Sequence, residues 1–241
     1  MVERQAGVVA VQVLVGEVVV IERVRAVPPL VTSSGGGTPA ASADRMDVRR
    51  ERAVIGAVLG GDVDGYAELV DAYQGLALRV AFSLLGNDEE AKEASQEAFV
   101  RAYRSLKRFR GRSRFSTWLC RIVVNECSDR WRRRSRRPEV AIGIGADDSG
   151  SDGLFECVAD AAGDPSDQLA RQELARDIGV AIAALPRQQR TAFLLHHVHG
   201  VPIGEVAVIM RCRGGTVKAH LFRATRHLQR RLAAWIGKEM A

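Results

Sequence analysis

Apolar residues recur three and four positions apart in two long stretches of the chain, and no alternating strand pattern competes with them. Ala53, Val54, Ala57 and Val58 open the first stretch, and Ala67, Leu69, Val70 and Tyr73 continue it past a Gly-Asp break. Gly86-Asn87-Asp88 then reads as the cap of a long helix, with Asp88, Glu89 and Glu90 in its positive first turn. The apolar face of that helix is Ala91, Ala94, Ala98, Ala102 and Leu106. Gly111 breaks it, and Ser116 or Thr117 is expected to cap a further helix with the buried stripe Phe115, Trp118, Leu119, Ile122, Val123 and Cys127. The opposite face of this helix carries Arg121, Asn125, Ser128 and Arg132.

The second stretch begins with Leu174, Ile178, Ile182 and Leu185, a helix ended by Pro186. Gly200 closes the next helix, and a short one spans roughly Ile203 to Met210. Arg211-Cys212-Arg213-Gly214 reads as a tight turn before a final helix carrying Val217, Leu221, Leu228 and Leu232. The fold class is therefore all-α: two small helical domains joined by a flexible acidic linker. We place an N-terminal extension at residues 1–47, the first domain at 48–137, the linker at 138–167 and the second domain at 168–237. The extension holds valines without clear period, then Pro28-Pro29 and a Ser-Gly run, and is expected to carry little stable structure. The amphipathic pattern starts directly after Met46, so translation is expected to begin there.

Charge divides the chain in the same places. Residues 138–170 hold eight acids and no Lys or Arg, a linker composition. Residues 104–137 hold thirteen Lys or Arg against Glu126 and Asp129, a net charge of +11 where the whole chain is +6. Phe109, Phe115, Trp118 and Trp131 are interleaved with that charge, which suits single-stranded or melted nucleic acid. From Arg187 to Arg231 the net charge is +8. A pI near 9.5 favours an acidic partner, and the apolar fraction of 46% supports a packed core. The valine-rich start is too short and too often interrupted to span a membrane, so no membrane insertion is expected.

The last two helices have the form of a helix-turn-helix, with Lys218, His220 and Arg223 on the outward N-terminal half of the second. Arg211, Arg213 and the hydroxyl or amide of Thr216 are placed to reach phosphates, and the exposed Phe222 to touch thymine methyls. His196, His197 and His199 at a helix end point in different directions, with no carboxylate or cysteine at ligand spacing, so no metal is assigned to them. Cys120, Cys127, Cys157 and Cys212 form no CxxC pair and read as thiols of a reducing, cytoplasmic compartment. No carboxylate cluster or nucleophile–base pair suggests an enzyme, and no cofactor is called for.

FRGRSRFSTWLCRIVVNECSDRWRR, from Phe109 to Arg133, is similar to the conserved-region-two signature of bacterial sigma factors, in particular the extracytoplasmic-function group of the sigma-70 family. Asp88 to Phe109, centred on Gln96-Glu97-Ala98-Phe99, resembles the preceding helix of that region. ALPRQQRTAFLL, GEVAVIM and GGTVKAHLFRATRHL resemble region four in the right order. The resemblance implies a transcription initiation factor without catalytic chemistry, bound to core RNA polymerase and to promoter DNA as both duplex and melted non-template strand. It implies that Asp88, Gln96, Glu97 and Arg101 face the polymerase clamp. It assigns Arg112, Ser113, Arg114, Arg121, Asn125, Arg132 and Arg133 to the single strand of the −10 element, with an unstacked base in the loop after Gly111. Arg211, Arg213, Thr216, Lys218, Ala219, His220, Phe222 and Arg223 are assigned to the −35 duplex. Family habit adds an anti-sigma factor.

Three departures from the family pattern stand out. Lys92 interrupts the acidic run of the clamp helix, Ala219-His220 replaces a more usual Ser-Arg in the recognition helix, and Pro202 takes a polar cap position. The rival reading is a helix-turn-helix regulator that acts on duplex DNA alone.

Overall fold

The computed structural model describes residues 12–14, 17–19, 46–135 and 165–233, and these form helices except for one small hairpin. The hairpin pairs β1 (Gln12–Leu14) with β2 (Glu17–Val19) in antiparallel register, Val13 opposite Val18. No element was expected there, and two such strands alone are marginal in water.

Four helices build the first domain: α1 (Val48–Leu59), α2 (Gly65–Leu85), α3 (Asp88–Ser105) and α4 (Phe115–Ser135). Local sequence sets their limits. The Asp47 side chain accepts from the Arg49 N–H at 3.1 Å at the start of α1. Gly86 takes the left-handed conformation at φ 71° that ends α2, and Asn87 Oδ1 accepts from the Glu90 N–H at 2.9 Å to start α3. The alanines at 91, 94, 98 and 102 are wholly buried, and their small size brings α3 close to α2 and α4. A 3-10 turn, Leu106–Arg108, and the loop at Gly111 (φ 65°) then lead into α4.

The start of α4 differs from the expectation. Neither Ser116 nor Thr117 caps it; both lie inside its first turn and are buried. Glu51 of α1 does that work instead, accepting the Phe115 N–H at 3.0 Å and the Tyr73 hydroxyl on its other oxygen. A carboxylate at a helix start is favoured by the dipole, and here the carboxylate is itself buried.

The second domain holds α5 (Pro165–Ala183), α6 (Arg187–Phe193), α7 (Ile203–Met210) and α8 (Gly214–Arg231). Helix α5 begins three residues before the domain boundary expected at 168. Leu194–Val198 continues α6 as a π-helical turn, with the His199 N–H donating to the Leu194 carbonyl at 2.9 Å. The buried residues of both domains join into one continuous apolar cluster.

Candidate nucleic-acid interface

Helix α8 separates its two faces cleanly. Val217, Leu221, Ala224 and Leu228 are buried, while Thr216, Lys218, Ala219, Phe222 and Arg223 are exposed and His220 is half-buried. Phe222 leaves 63% of its surface in water, high for a phenyl ring. Arg226, absent from the sequence reading, sits over that ring with its guanidinium carbon 5.5 Å from the centroid. Arg211 and Arg213 are exposed in the preceding turn. Arg211 adopts left-handed backbone, φ 53° and ψ 44°, where glycine is the residue of least strain. The Thr216 N–H already donates to the Arg213 carbonyl at 2.9 Å, so of the two groups expected to reach phosphate only its hydroxyl is left.

Helix α4 is less open than its pattern suggested. Phe115, Trp118, Leu119, Val123 and Cys127 are buried as expected, and Ile122 half-buried. Phe109, Phe115 and Trp118 form one aromatic cluster, with centroids 5.1 Å apart for Phe109–Trp118 and 5.6 Å for Phe115–Trp118. These rings hold the helix in its domain and are not free stacking platforms. Burial pushes the Cys127 thiol up to about 12, which makes it inert as a nucleophile.

The face expected to be polar and solvated is partly covered. Thr117 Oγ1 donates to Glu205 Oε2 of α7 at 2.5 Å. Arg121 is half-buried, and its guanidinium loses protonation strength first to burial and then to the field of Arg211. Asn125 is half-buried on the edge of the same face. The Ser128 carbonyl accepts from Arg187 at 3.5 Å, and Trp131 lies beneath the guanidiniums of Arg187 and Arg190 at 5.7 and 5.6 Å. Arg132 and Arg133 are exposed beyond that contact, Arg132 pairing with Asp129 at 2.9 Å.

In the loop before α4, Arg112 is exposed and Ser113 half-buried. Arg114 turns inward, donating to the Met46 carbonyl at 3.2 Å. Arg112 and Ser113 therefore line this loop toward solvent more fully than Arg114 does.

On α3, Asp88 and Gln96 are exposed and Glu97 and Arg101 half-buried. Lys92 pairs with Asp88 one turn away, so its charge is offset within the helix. Arg101 lies 2.6 Å from Glu126, 3.5 Å from Glu97 and 3.8 Å from Asp129, and so ties α3 to α4. Burial raises the Glu126 carboxyl against the opposing pull of Arg101. The sequence reading missed Val100 and Tyr103, each 42% exposed on the outer side of α3 near Gln96. A large apolar side chain on the solvent face of a helix otherwise rich in charge was the signal available for them.

Family models match both domains: "Sigma-70 region 2" over residues 69–137 and "Sigma-70, region 4" over residues 175–228. The ECF RNA polymerase sigma factor SigW of Bacillus subtilis is 34% identical over 175 residues, covering 71% of this chain and 91% of the relative. The RNA polymerase sigma-H factor of Pseudomonas aeruginosa is 32% identical over 187 residues, covering 76% of this chain and 94% of the relative. The ECF RNA polymerase sigma-E factor of Escherichia coli K12 is 31% identical over 176 residues, covering 72% and 90%. Among solved structures, CnrH in complex with the cytosolic domain of CnrY aligns with a TM-score of 0.53 at 22% identity, covering 77% of this chain and 98% of that one. The sigma factor RpoE of Bartonella quintana, in complex with the anti-sigma factor NepR, aligns with a TM-score of 0.53 at 23% identity, covering 70% and 96%.

Proposed function

The chain belongs to the extracytoplasmic-function group of the sigma-70 family, and from that premise we propose that it binds core RNA polymerase, recognises −35 and −10 promoter elements and promotes their melting. What carries the reading is the presence on one chain of two basic surfaces of different design. Helix α8 offers polar, basic and phenyl groups from a rigid helix of a size that enters a major groove. Helix α4 and its loop offer positive charge around an aromatic-packed base, suited to a strand already out of the duplex.

In this proposal Arg211, Arg213 and the Thr216 hydroxyl fix the register of α8 on the −35 backbone, while Lys218, Ala219, His220, Phe222 and Arg223 meet base edges. Phe222 supplies apolar contact to thymine methyls, and Arg226 above it adds positive charge toward the backbone. The loop after Gly111, with Arg112, Ser113 and Arg114, holds an unstacked base of the −10 element. Arg121, Asn125, Arg132 and Arg133 follow the non-template strand; the Asn125 amide both donates and accepts, as a base edge requires. Extruding a base costs a few kcal/mol, offset by phosphate neutralisation.

Polymerase is met by the outer side of α3. Asp88, Gln96, Glu97 and Arg101 supply the polar contacts, and Val100 and Tyr103 the apolar ones. No step calls for catalytic chemistry by this chain, and the reaction takes place in the cytoplasm with the polymerase. An anti-sigma factor, of which NepR is the example held by the Bartonella quintana relative, completes the proposed set of partners.

Run-off transcription with purified core polymerase across a promoter library tests the reading. Promoter-dependent transcripts are expected. Their absence, with a known sigma factor working in parallel, overturns it. A regulator acting on duplex alone would instead bind its site tightly without polymerase and be indifferent to changes at Asn125.

A further inference from the structure

The start of α1 and the segment that leads into α4 are held side by side. Glu51 accepts the Phe115 N–H at 3.0 Å, and Arg114 donates to the Met46 carbonyl at 3.2 Å. The Leu106–Arg108 turn packs on α1, with Leu106 buried and Lys107 and Arg108 exposed. These contacts bring two runs of cations, distant in sequence, to one corner of the first domain. Arg49 and Arg52 come from α1, and Lys107, Arg108 and Arg110 from the turn and the loop after it. All five are exposed with the second domain in place.

The five differ from other cations of this domain in lacking acid. Lys92 is matched by Asp88, Arg130 by Glu93 and Arg132 by Asp129. Among the described residues no carboxylate pairs with Arg49, Arg52, Lys107, Arg108 or Arg110. The acids at hand are engaged elsewhere. Asp47 caps α1 through the Arg49 N–H at 3.1 Å, and Glu51 is buried on Phe115 and Tyr73. Glu68 of α2 takes both arms of the Arg50 guanidinium at 2.7 Å. At about 3.6 residues per turn, Arg50 and Arg52 fall on opposite flanks of Glu51, so α2 neutralises the first and leaves the second. Like charges left together raise a local positive potential, which an external anion relieves.

The loop proposed to hold the unstacked base adjoins this corner. Gly111, left-handed at φ 65°, separates Arg110 from Arg112, and Arg114 is the loop residue bonded to Met46. A strand with one base in that loop has the length of α4 on one side and the corner on the other. We propose that the corner is a second single-strand site. Arg49, Arg52, Lys107, Arg108 and Arg110 hold phosphates of the nucleotides next to the captured base, beyond the head of α4 and away from Arg121 and Asn125. What the loop holds comes from the sigma reading; the affinity of the corner for phosphate does not. Phe109, the aromatic ring within this stretch, is packed against Trp118 at 5.1 Å. The corner therefore grips backbone without reading sequence.

The test uses the full chain, a labelled thymidine 20-mer and fluorescence anisotropy over a range of salt. Each phosphate neutralised on a single strand contributes about 0.7 to the slope of log affinity against log salt. Arg49→Ala with Arg52→Ala should lower that slope by about 1.4 and weaken binding about 25-fold at 0.1 M salt, the titrations meeting near 1 M. Lys107→Ala with Arg108→Ala, on the other segment, should do the same. Arg49→Lys with Arg52→Lys should restore the wild-type slope, because a point charge suffices for phosphate. Arg230→Ala with Arg231→Ala removes the same charge from the exposed far end of α8 and should leave the slope near wild type. Corner variants that match this control would overturn the proposal. So would an equal loss from the 20-mer paired with its complement, which makes the corner a general phosphate surface. Run-off transcription in parallel separates the two readings: the expected slopes without any promoter-dependent transcript leave the site standing and remove the sigma role.

Discussion

Glu51 of α1 and Phe115 at the head of α4 are joined by a hydrogen bond of 3.0 Å from the Phe115 N–H to Glu51 Oε1. The other carboxylate oxygen takes the Tyr73 hydroxyl of α2, so one buried side chain sets the start of α4 and ties three helices together. The position of the loop after Gly111 relative to the rest of its domain depends on it.

Glu51→Ala should therefore be costly. It removes the buried carboxylate that accepts both the Phe115 N–H and the Tyr73 hydroxyl and leaves that N–H unsatisfied, a loss of about 2–4 kcal/mol. Tyr73→Phe, which removes only one donor, should cost about 1 kcal/mol. Urea unfolding of both variants measures the difference. Equal and small losses would remove Glu51 from the role assigned here.

His199 predicts a dependence on pH. Burial, and secondarily Arg79 of α2, pushes its imidazole down from the ordinary 6.5 to about 3. A depressed value means that the packed state binds fewer protons than the released state. Stability from this group is complete above pH 6.5 and is lost as pH falls toward 3, by about 2 kcal/mol at pH 5. Burial pushes His197 down as well, to about 4, so thermal unfolding between pH 7.5 and 5 should show the losses of both groups, and His199→Gln should remove about half of the slope. An equally steep profile in the variant would assign the effect to other groups.

The helices and their order were legible because a 3.6-residue period needs only local information. The alanine stripe of α3 and the apolar stripe of α8 are buried as their spacing required. What was not legible came from partners distant in sequence. Arg121 and Ser128 look like a solvated face because nothing nearby announces Arg211 and Arg187. Glu51 looks like one charge among several at the start of α1, and local capping rules point to Ser116 or Thr117 instead. The π-helical turn carries no periodic signature, yet it sets where His199 meets Ser83. Of the candidate site, α8 was readable almost residue by residue, Arg226 excepted, since its outward face needs no partner within the chain.

Arg211 holds a backbone conformation that costs an L-residue with a Cβ about 1–2 kcal/mol. Arg211→Gly should relieve it, raising stability by about 1 kcal/mol after the added freedom of the unfolded chain is counted. The same change removes a proposed phosphate contact and so should weaken −35 duplex binding at every sequence alike, with a shallower salt dependence. Unfolding and duplex binding are thus expected to move in opposite directions. If both fell, the residue would be holding the turn together rather than straining it.

Asn125 and Arg223 sit on different surfaces, and their variants should fail at different stages. Asn125 lies on α4, outside the α3 set proposed for polymerase, so Asn125→Ala should leave polymerase binding near wild type. Losing a base-edge pair costs about 1–3 kcal/mol, a drop of roughly five- to over a hundredfold in open complex. Arg223 is exposed on α8, and Arg223→Ala should weaken upstream duplex binding while clamp docking is unchanged. Permanganate reactivity of melted thymines reads the open complex, and polymerase binding is titrated separately by anisotropy. Because Asn125 is half-buried, a purely structural role would show as reduced stability and as equal loss of both activities. Loss confined to melting, with unfolding unchanged, is the outcome that the position of Asn125 on α4 requires.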